Sequence, residues 1–431
     1  MRAIPGALDP FGPPTAKVAA LLGLVSTVAE RVLPQLARLD GLAPSARATA
    51  LRNALPPLVG KVAAEGQVPV GAEEQLAVVD AVIDELLGLG PIEALLRDDQ
   101  VDEVMVNGPR QVYAERKGKL VLTSRVFRDD GHVLDVIQRI VKPLGRHIDA
   151  TRPICDCRLA DGSRVNAIIA PSSIDGPTLT IRKFKKDRLG IDDLVRFGTL
   201  SQEMADFLGA CVRGRLNIVV SGGTGSGKTT TLNVLSNFIP DDERIITVED
   251  AAELQIRKQH VVRLETRPPD LEGKHEITIR DLVRNCLRMR PERIIVGEIR
   301  GGEAFDMLQA MNTGHDGSLT TGHANTPRDM IRRLETMTMM AGFEIPLLAI
   351  REQIASAVQL IVQQNRMQDG SRRITHITEI QGMEGAVVTL SDIFLLKGGV
   401  LQPTGLRPRF ESRLKDHGTT LPPGMFAPRR V

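Results

Sequence analysis

One stretch, LNIVVSGGTGSGKTTTL at residues 216–232, limits what this chain can fold into more than any other. Residues 216–220 are apolar and rich in β-branched side chains, which is typical of a buried parallel strand. The glycines that follow match G-x-x-x-x-G-K-[ST], and a segment compatible with a helix comes next. Glycines are needed because a Cβ would keep the backbone amides from turning onto phosphate oxygens. The stretch therefore predicts a nucleotide-binding loop.

The side chains of this loop have separate roles in such a site. Lys228 can reach the β- and γ-phosphates, Thr229 can ligate Mg²⁺, and the following helix directs its positive end at the anion. A chance glycine-rich loop is the alternative, and the flanking strand and helix disfavour it. The predicted nucleotide-binding residues are Gly222, Gly223, Thr224, Gly225, Ser226, Gly227, Lys228, Thr229 and Thr230.

Length and composition predict a globular protein of two or three domains. A chain of 431 residues is too long for one ordinary core, and 42% hydrophobic with 25% charged residues is a globular composition. The net charge of +2 produces no strong field to hold nucleic acid. With no Trp, one Tyr and eleven Phe, the chain also has few platforms for base stacking. We expect no specific nucleic-acid partner.

The cysteines and the apolar windows favour a cytoplasmic protein. The four cysteines form no C-x-x-C pair, so neither a zinc knuckle nor a thioredoxin motif is supported, and a reducing compartment fits. The longest apolar window, residues 18–29, is shorter than a membrane span. A signal peptide is an alternative there, but the usual basic start and cleavage site are missing, and a protein that uses a nucleotide must face the nucleotide pool.

Composition and periodicity divide the chain into six segments. Proline and glycine crowd the start, apolar residues then follow helical spacing, and strands and helices mix before the nucleotide-binding loop. The helical segment is read as a docking module, although its apolar face could also contact a partner. The segments are a disordered lead (1–15), a helical module (16–89), an α+β domain (90–184) with a hairpin at 158–170, a charged linker (185–199), a domain with the nucleotide-binding loop (200–402) and a basic tail (403–431).

The fold class follows from the order of strands and helices in residues 200–402. Strands predicted at 216–220, 244–248, 293–297, 318–321 and 359–362 are separated by intervals of helix length. Such alternation predicts an α/β fold with a mostly parallel sheet and helices on both faces. The tail has six Lys/Arg against two Asp/Glu, which favours a solvated, disordered end. Weak attachment of the tail to anionic lipid or nucleic acid is the alternative.

Two carboxylates lie at predicted strand ends after the loop. The segment RIIVGEIRG (residues 293–301) is an apolar strand that ends in Glu298, where a carboxylate can hold the Mg²⁺ hydration shell or orient the attacking water. The segment VED (residues 248–250) ends another strand, and Glu249 is a second candidate. An N-cap or a solvated strand end is the alternative for Glu249.

A histidine-rich segment, TGHDGSLTTGHAN at residues 313–325, supplies a further candidate. A packed or surface histidine would be the ordinary interpretation of His315 or His323 taken alone. Zinc is a competing function, but two histidines separated by seven residues without nearby cysteines are weak evidence for it. We favour a contact between His323 and the γ-phosphate.

Taken in order, these four segments resemble the Walker A, Asp box, Walker B and His box of the type II/type IV secretion ATPases. RLETRPP, EITIRDLVRNCLRMRPE and REQIASAV are similar to the CpaF/TadA branch, which serves Tad/Flp pilus assembly. The resemblance covers about residues 86–395. It implies a RecA-like P-loop core preceded by a smaller α+β domain and an N-terminal helical module.

The resemblance also implies function. It implies a homo-hexameric cytoplasmic ATPase that uses ATP and Mg²⁺ and associates with the inner membrane through pilus or secretion platform proteins. Arginines before the motor core, matching Arg164 in ADGSRVNAII and Arg182 in TIRKF, are implied to reach the nucleotide phosphates. From the residues alone, each could equally be a solvated strand residue.

Two departures and two rival functions stand beside this interpretation. The cysteine-rich zinc element of some type II relatives is missing, and Gly322 stands where the branch more often has an aliphatic residue. A nucleic-acid motor of RecA-like type is disfavoured by the charge and the scarce aromatics. A scaffold that binds ATP without hydrolysing it is disfavoured by Glu298.

Overall fold

The chain forms two compact units, Met1–Lys186 and Asp187–Val431, in the computed structural model. The structure describes residues 11, 15–34, 36, 41–116, 118–184, 189–269 and 273–427. Most of the predicted lead lies outside these residues. Of the lead, Phe11 bridges to Thr123 and the Thr15 side chain accepts from the Val18 amide to cap the first helix.

Three helices begin the first unit: α1 (Ala16–Val32), α2 (Pro44–Glu65) and α3 (Ala72–Leu87). They bury apolar side chains at helical spacing in a core of their own, and this core stabilises the three helices as one module. A 3-10 turn at Gly90–Ile92 and the short helix α4 (Glu93–Arg97) follow. None of the helices in the described part of the chain has the length and apolar content that a bilayer crossing demands.

An antiparallel sheet completes the first unit. Its strands run in the order β3-β2-β1-β6-β5-β4, and α5 (Asp130–Val141) packs Val133, Val136, Ile137 and Ile140 against it. The predicted hairpin at residues 158–170 is displaced: its two strands pair from Ile154 to Ile168. They are joined across Gly162, whose φ of +94° suits a tight turn. The strands are β1 (Val101–Asn107), β2 (Gln111–Arg116), β3 (Lys119–Leu122), β4 (Ile154–Arg158), β5 (Arg164–Ile168) and β6 (Thr178–Arg182).

The structure corrects the predicted linker at residues 185–199. Residues 185–188 lie outside the described part of the chain, but Ile191–Arg196 form helix α6. The Gly190 amide donates to the Asp193 carboxylate at 2.8 Å, and Leu194 is buried in the core of the second unit. Composition alone did not reveal this short capped helix, in which Ile191 and Val195 also pack against the core beside Leu194.

The second unit is built on a nine-stranded sheet in the order β15-β14-β13-β12-β7-β11-β10-β8-β9. The pairs from β12 to β9 are parallel, and the pairs from β12 to β15 are antiparallel. The strands are β7 (Ile218–Gly222), β8 (Ile245–Glu249), β9 (Val261–Glu265), β10 (Arg293–Ile299), β11 (Leu319–Gly322), β12 (Leu360–Arg366), β13 (Arg372–Glu384), β14 (Val387–Lys397) and β15 (Val400–Pro403).

Helices cover both faces of this sheet and enclose two hydrophobic cores. One core lies beneath α7 and α8, and the other beneath α9 to α12. The predicted α/β class with a mostly parallel sheet is confirmed. The helices are α7 (Gln202–Arg213), α8 (Lys228–Ser236), α9 (Ile279–Cys286), α10 (Glu303–Asn312), α11 (Pro327–Met339) and α12 (Leu347–Ala357).

The basic tail packs into the second unit, so the prediction of a solvated, disordered end is wrong for residues 403–427. Helix α13 (Glu411–Asp416) places Leu414 against α7, where a Cβ on Gly214 would lie only 2.3 Å from Leu414 Cδ2. Arg413 donates to the Arg215 carbonyl at 2.7 Å and pairs with Asp316 at 3.0 Å. Charge counting missed the buried residues Phe410, Leu421, Met425 and Phe426. Residues 428–431 lie outside the described part.

Candidate functional site

The loop between β7 and α8 has the backbone that the glycines predict. All five residues of β7 are buried, and α8 begins at Lys228. Gly225 and Gly227 have φ of +70° and +95°, a region that side chains with a Cβ rarely adopt. The loop therefore turns sharply from a buried strand into a helix N-terminus, where free amides face an anion.

Gly222 is glycine because a neighbouring strand passes too close for a side chain. A Cβ there would lie 2.2 Å from the Gln364 carbonyl oxygen and 2.6 Å from Ser226 Oγ. At Gly223, by contrast, a Cβ would have no atom within 4 Å. The first glycine thus serves packing against β12, whereas the space at Gly223 is open.

Three donors converge on the Gly223 carbonyl oxygen. Lys228 Nζ and Ser226 Oγ each donate to it at 2.9 Å, and the Ser226 amide does so at 3.4 Å. Lys228 is buried, which lowers the pKa of its ammonium, while the charge of Glu298 acts in the opposite direction. The Gly223 carbonyl oxygen thus accepts from three donors and holds Lys228 within the loop.

Glu298 and His323 meet Lys228 because their strands are neighbours. β7, β11 and β10 are adjacent and parallel, so their carboxyl ends lie at one edge of the sheet. His323 Nδ1 lies 3.4 Å from Lys228 Nζ, and His323 Nε2 lies 2.5 Å from Glu298 Oε1. Burial lowers the pKa of His323, while the charge of Glu298 acts in the opposite direction.

Arg300 holds the other oxygen of Glu298. Its Nη2 donates to Glu298 Oε2 at 2.7 Å, and its Nη1 lies 3.8 Å from Asp250 Oδ2. The hydrogen bond to Glu298 raises the pKa of the guanidinium further. The carboxylate therefore has one oxygen facing His323 and one oxygen bound by Arg300. Sequence reasoning noted Arg300 only as a neighbour of Glu298, and its position two residues beyond that carboxylate was the available signal.

Glu249 has a different environment from Glu298. It is buried at the end of β8, where its Oε1 accepts from the amides of Glu253 at 2.8 Å and Leu254 at 3.0 Å. A Cβ on Gly297 would lie 2.8 Å from Glu249 Cγ, so β10 carries glycine at that position. These contacts tie the loop after β8 to the strand end.

The two histidines of the histidine-rich segment lie at opposite ends of β11. His315 precedes the strand and His323 follows it, so the four-residue strand separates the two side chains. Among the described residues, no group of three or more His, Cys, Asp or Glu could hold a metal by itself. At Gly322, a Cβ would lie 2.8 Å from Met330 Cε. Met330 therefore fills the space that an aliphatic residue would need.

The remaining predicted residues divide between the two units. Thr224 is exposed at the loop tip, and Thr229 and Thr230 are half-buried in the first turn of α8. Arg164 and Arg182 belong to the first unit, where they stand directly opposite each other on β5 and β6. Opposite residues of an antiparallel pair share a face of the sheet, so both side chains start from the same face.

Two residues of the site lie on the β12–β13 hairpin and were missed. Gln364 is buried beneath the loop, and its Oε1 accepts from Thr231 Oγ1 at 2.7 Å. Arg372 Nε donates to the Gly225 carbonyl at 3.0 Å. No motif or spacing in the sequence connects this hairpin to the loop, because the contact depends on β12 lying beside β7.

Comparison with known proteins gives a consistent family. The profile of the family described as type II/IV secretion system protein matches residues 85–380. An uncharacterized protein of Methanocaldococcus jannaschii is 48% identical over 239 residues, which are 54% of this chain and 33% of that relative's length. This chain thus spans about a third of that relative.

Two further proteins match over more of their length. A putative conjugal transfer protein of Mycobacterium tuberculosis is 36% identical over 324 residues, which are 74% of this chain and 92% of that protein. A crystal structure of the VirB11 ATPase from the Brucella suis type IV secretion system is 29% identical. It covers 67% of this chain and 94% of that chain, with a TM-score of 0.37.

Proposed function

Because the chain belongs to the type II/IV secretion system protein family, we propose that it is a hexameric motor of the CpaF/TadA branch that powers Tad/Flp pilus assembly. Its class as an ATP hydrolase of the type IV secretion or pilus motor kind, predicted from the motifs, is confirmed. The observation that supports the catalytic proposal is the contact of Lys228, His323 and Glu298 at one edge of the parallel sheet.

The loop binds the phosphates of ATP. Its amides and the helix N-terminus face the anion, and Lys228 neutralises charge on the β- and γ-phosphates. Mg²⁺ in such sites takes one or two protein oxygens and completes its shell from phosphate and water. The Thr229 hydroxyl and, through a water molecule, the Glu298 carboxylate would coordinate this ion. Bound there, the ion would neutralise charge that develops on the transferred phosphoryl group.

Glu298 orients the attacking water. Arg300 binds one carboxylate oxygen and His323 faces the other, so the carboxylate is held in place before the reaction. His323, which also lies beside Lys228, contacts the γ-phosphate. Glu249 holds the loop after β8 and is the second candidate for the catalytic carboxylate.

Arg164 and Arg182 supply charge to the phosphates from the first unit. A guanidinium is charged at any working pH and pairs bidentately with phosphate. Arg164 and Arg182 stand directly opposite each other on β5 and β6, which supports a joint role for the two residues at the phosphates. Such a contact would convert ATP binding into domain motion, which a motor requires. The partners are other copies of this chain in a homo-hexamer and inner-membrane platform proteins, so the motor works in the cytoplasm at that membrane.

The test removes the lysine of the loop. Lys228→Ala takes away the cation that contacts Gly223 and His323, so ATP turnover should fall to background while the thermal unfolding midpoint stays near that of wild type. Lys258→Ala is the matched control, because Lys258 pairs with Asp241 outside the site. Turnover of Lys228→Ala at the rate of Lys258→Ala would refute the site. Negative-stain images of the ATP-bound protein test the assembly, and particles without six-fold symmetry would refute the hexamer.

A further inference from the structure

Two residues of the β12–β13 hairpin, Gln364 and Arg372, contact the nucleotide-binding loop and the first turn of α8. The Gln364 carbonyl excludes a side chain at Gly222, and the Gln364 side chain accepts from Thr231 in the first helical turn. Arg372 is exposed, and its Nε donates to the Gly225 carbonyl at 3.0 Å. Its Cδ would lie 3.2 Å from a Cβ on Gly227. The side chain therefore lies along the two glycines that have positive φ.

The peptide between Gly225 and Ser226 needs an external restraint. Gly225 has φ of +70° and no side chain, so its own residue does little to limit rotation of that peptide. A peptide is planar and trans, so its carbonyl and its amide point in opposite directions. A donor that holds the Gly225 carbonyl consequently also sets the direction of the Ser226 amide.

That amide faces the point where the other donors of the loop converge. It lies 3.4 Å from the Gly223 carbonyl oxygen, to which Lys228 Nζ donates at 2.9 Å. Backbone amides of such loops form concave sites for anions, and this amide lies on the side of the loop where Lys228 is held. Arg372 therefore binds the carbonyl of a peptide plane whose amide faces the interior of the loop.

We propose that Arg372 is a positioning residue of the nucleotide-binding loop. The hydrogen bond from its Nε to the Gly225 carbonyl turns the Ser226 amide toward the phosphates of the bound nucleotide. This inference rests on the proposed role of the loop. The atom that matters is the Nε–H donor, since the guanidinium as a whole stays outside the loop.

The chain offers variants that separate the donor from the charge. In Arg372→Gln, the side-chain amide nitrogen takes the position that Nε has in arginine, and the charge is removed. In Arg372→Met, a methyl group takes that position, so the side chain is as long as glutamine but has no donor. Arg373→Met is the matched control, because Arg373 is the next residue of β13 and donates instead to the Gly399 carbonyl at 3.0 Å.

The loop positions the phosphates equally before and during reaction, so loss of the donor should weaken binding without lowering kcat. Loss of one such hydrogen bond typically changes an equilibrium by about two- to tenfold. We expect Arg372→Met to raise the Kd of ADP and the KM of ATP by this factor. Arg372→Gln and Arg373→Met should stay near wild type. The measurements are calorimetric titration of the full-length protein with MgADP and steady-state turnover of ATP.

Three results would overturn the inference. If Arg372→Gln binds ADP as weakly as Arg372→Met, the charge and not the donor is responsible. If Arg373→Met binds ADP as weakly as Arg372→Met, the effect comes from the hairpin as a whole and not from the hydrogen bond of Arg372. If kcat falls while ADP affinity is unchanged, Arg372 acts on the transferred phosphoryl group. Lys228→Ala tests the site itself. If that variant loses turnover while Arg372→Met binds ADP like wild type, the proposed site stands and only the role of Arg372 is refuted.

Discussion

The substitution Gly317→Ala tests how much the buried ion pair of Arg293 at the start of β10 stabilises the second unit. Arg293 is fully buried at the start of β10 and forms a forked ion pair with Glu243 at 2.5 and 3.0 Å. Its Nη1 also donates to the carbonyls of Val212 at 2.9 Å and Gly317 at 3.2 Å. A Cβ on Gly317 would lie 1.9 Å from that Nη1, so the guanidinium must leave its place.

Two costs add in this variant. Gly317 has φ of +83°, and a residue with a Cβ in this region costs about 1–2 kcal/mol. Breaking a buried ion pair while leaving its charges buried costs about 3–5 kcal/mol. Gly314→Ala is the control for the first cost alone, because Gly314 has φ of +94° and a Cβ there would meet no atom within 4 Å.

The assay is the thermal unfolding midpoint of the full-length variants, measured by calorimetry. One kcal/mol moves the midpoint of a unit of this size by about 2–4 °C, so Gly317→Ala should unfold roughly 6–20 °C below Gly314→Ala. If the midpoints of the two variants agree within about 2 °C, the buried pair can move without cost and the reasoning is wrong.

Three predictions concern the site. Glu298→Gln should bind ATP yet hydrolyse it about 10²–10⁴-fold more slowly, because the charge that orients water is lost; single-turnover rates within about threefold of wild type would make Glu249 the catalytic carboxylate. Arg182→Ala should lower kcat strongly, since an arginine at the γ-phosphate is typically worth about 10³ or more, while ADP affinity changes little; an unchanged kcat would remove Arg182 from the mechanism. Burial lowers the pKa of His323, so the folded state binds fewer protons than the unfolded state below pH ~6.5 and loses stability as the pH falls through that window. The difference in unfolding midpoint between wild type and His323→Gln should therefore shrink as the pH falls from about 7 to 5, and a constant difference would contradict the shift.

Local features of the chain were readable because their causes lie within a few residues. Glycines that need positive φ, an apolar β-branched run and a helix-compatible segment specify the loop from β7 to α8 without help from the rest of the fold. Glu298 was predicted as a site residue for the same reason, since it follows an apolar run in the sequence. The five predicted parallel strands each appear, displaced by a few residues.

The predictions of a linker at 185–199 and of a disordered tail at 403–431 rested on composition, and the structure differs from both. The charged stretch after residue 189 hid α6, and the basic tail hid the apolar residues around Phe410 and Phe426 that pack against Phe207. Each segment has few apolar residues, so its periodicity is too short to detect. Burial against a distant partner stabilises it all the same.

The sequence by itself determined the backbone turn of the loop, the class of the fold and the family. Only the tertiary structure decided which groups meet. Strand order places His323 between Lys228 and Glu298. It also sets the β12–β13 hairpin beside the loop, with Gln364 buried and Arg372 exposed. The same order surrounds Arg293 with Glu243 and Gly317. Backbone conformation follows from neighbours in the chain, whereas contacts across a sheet depend on which strands pair, and that choice is made by burial of the whole unit.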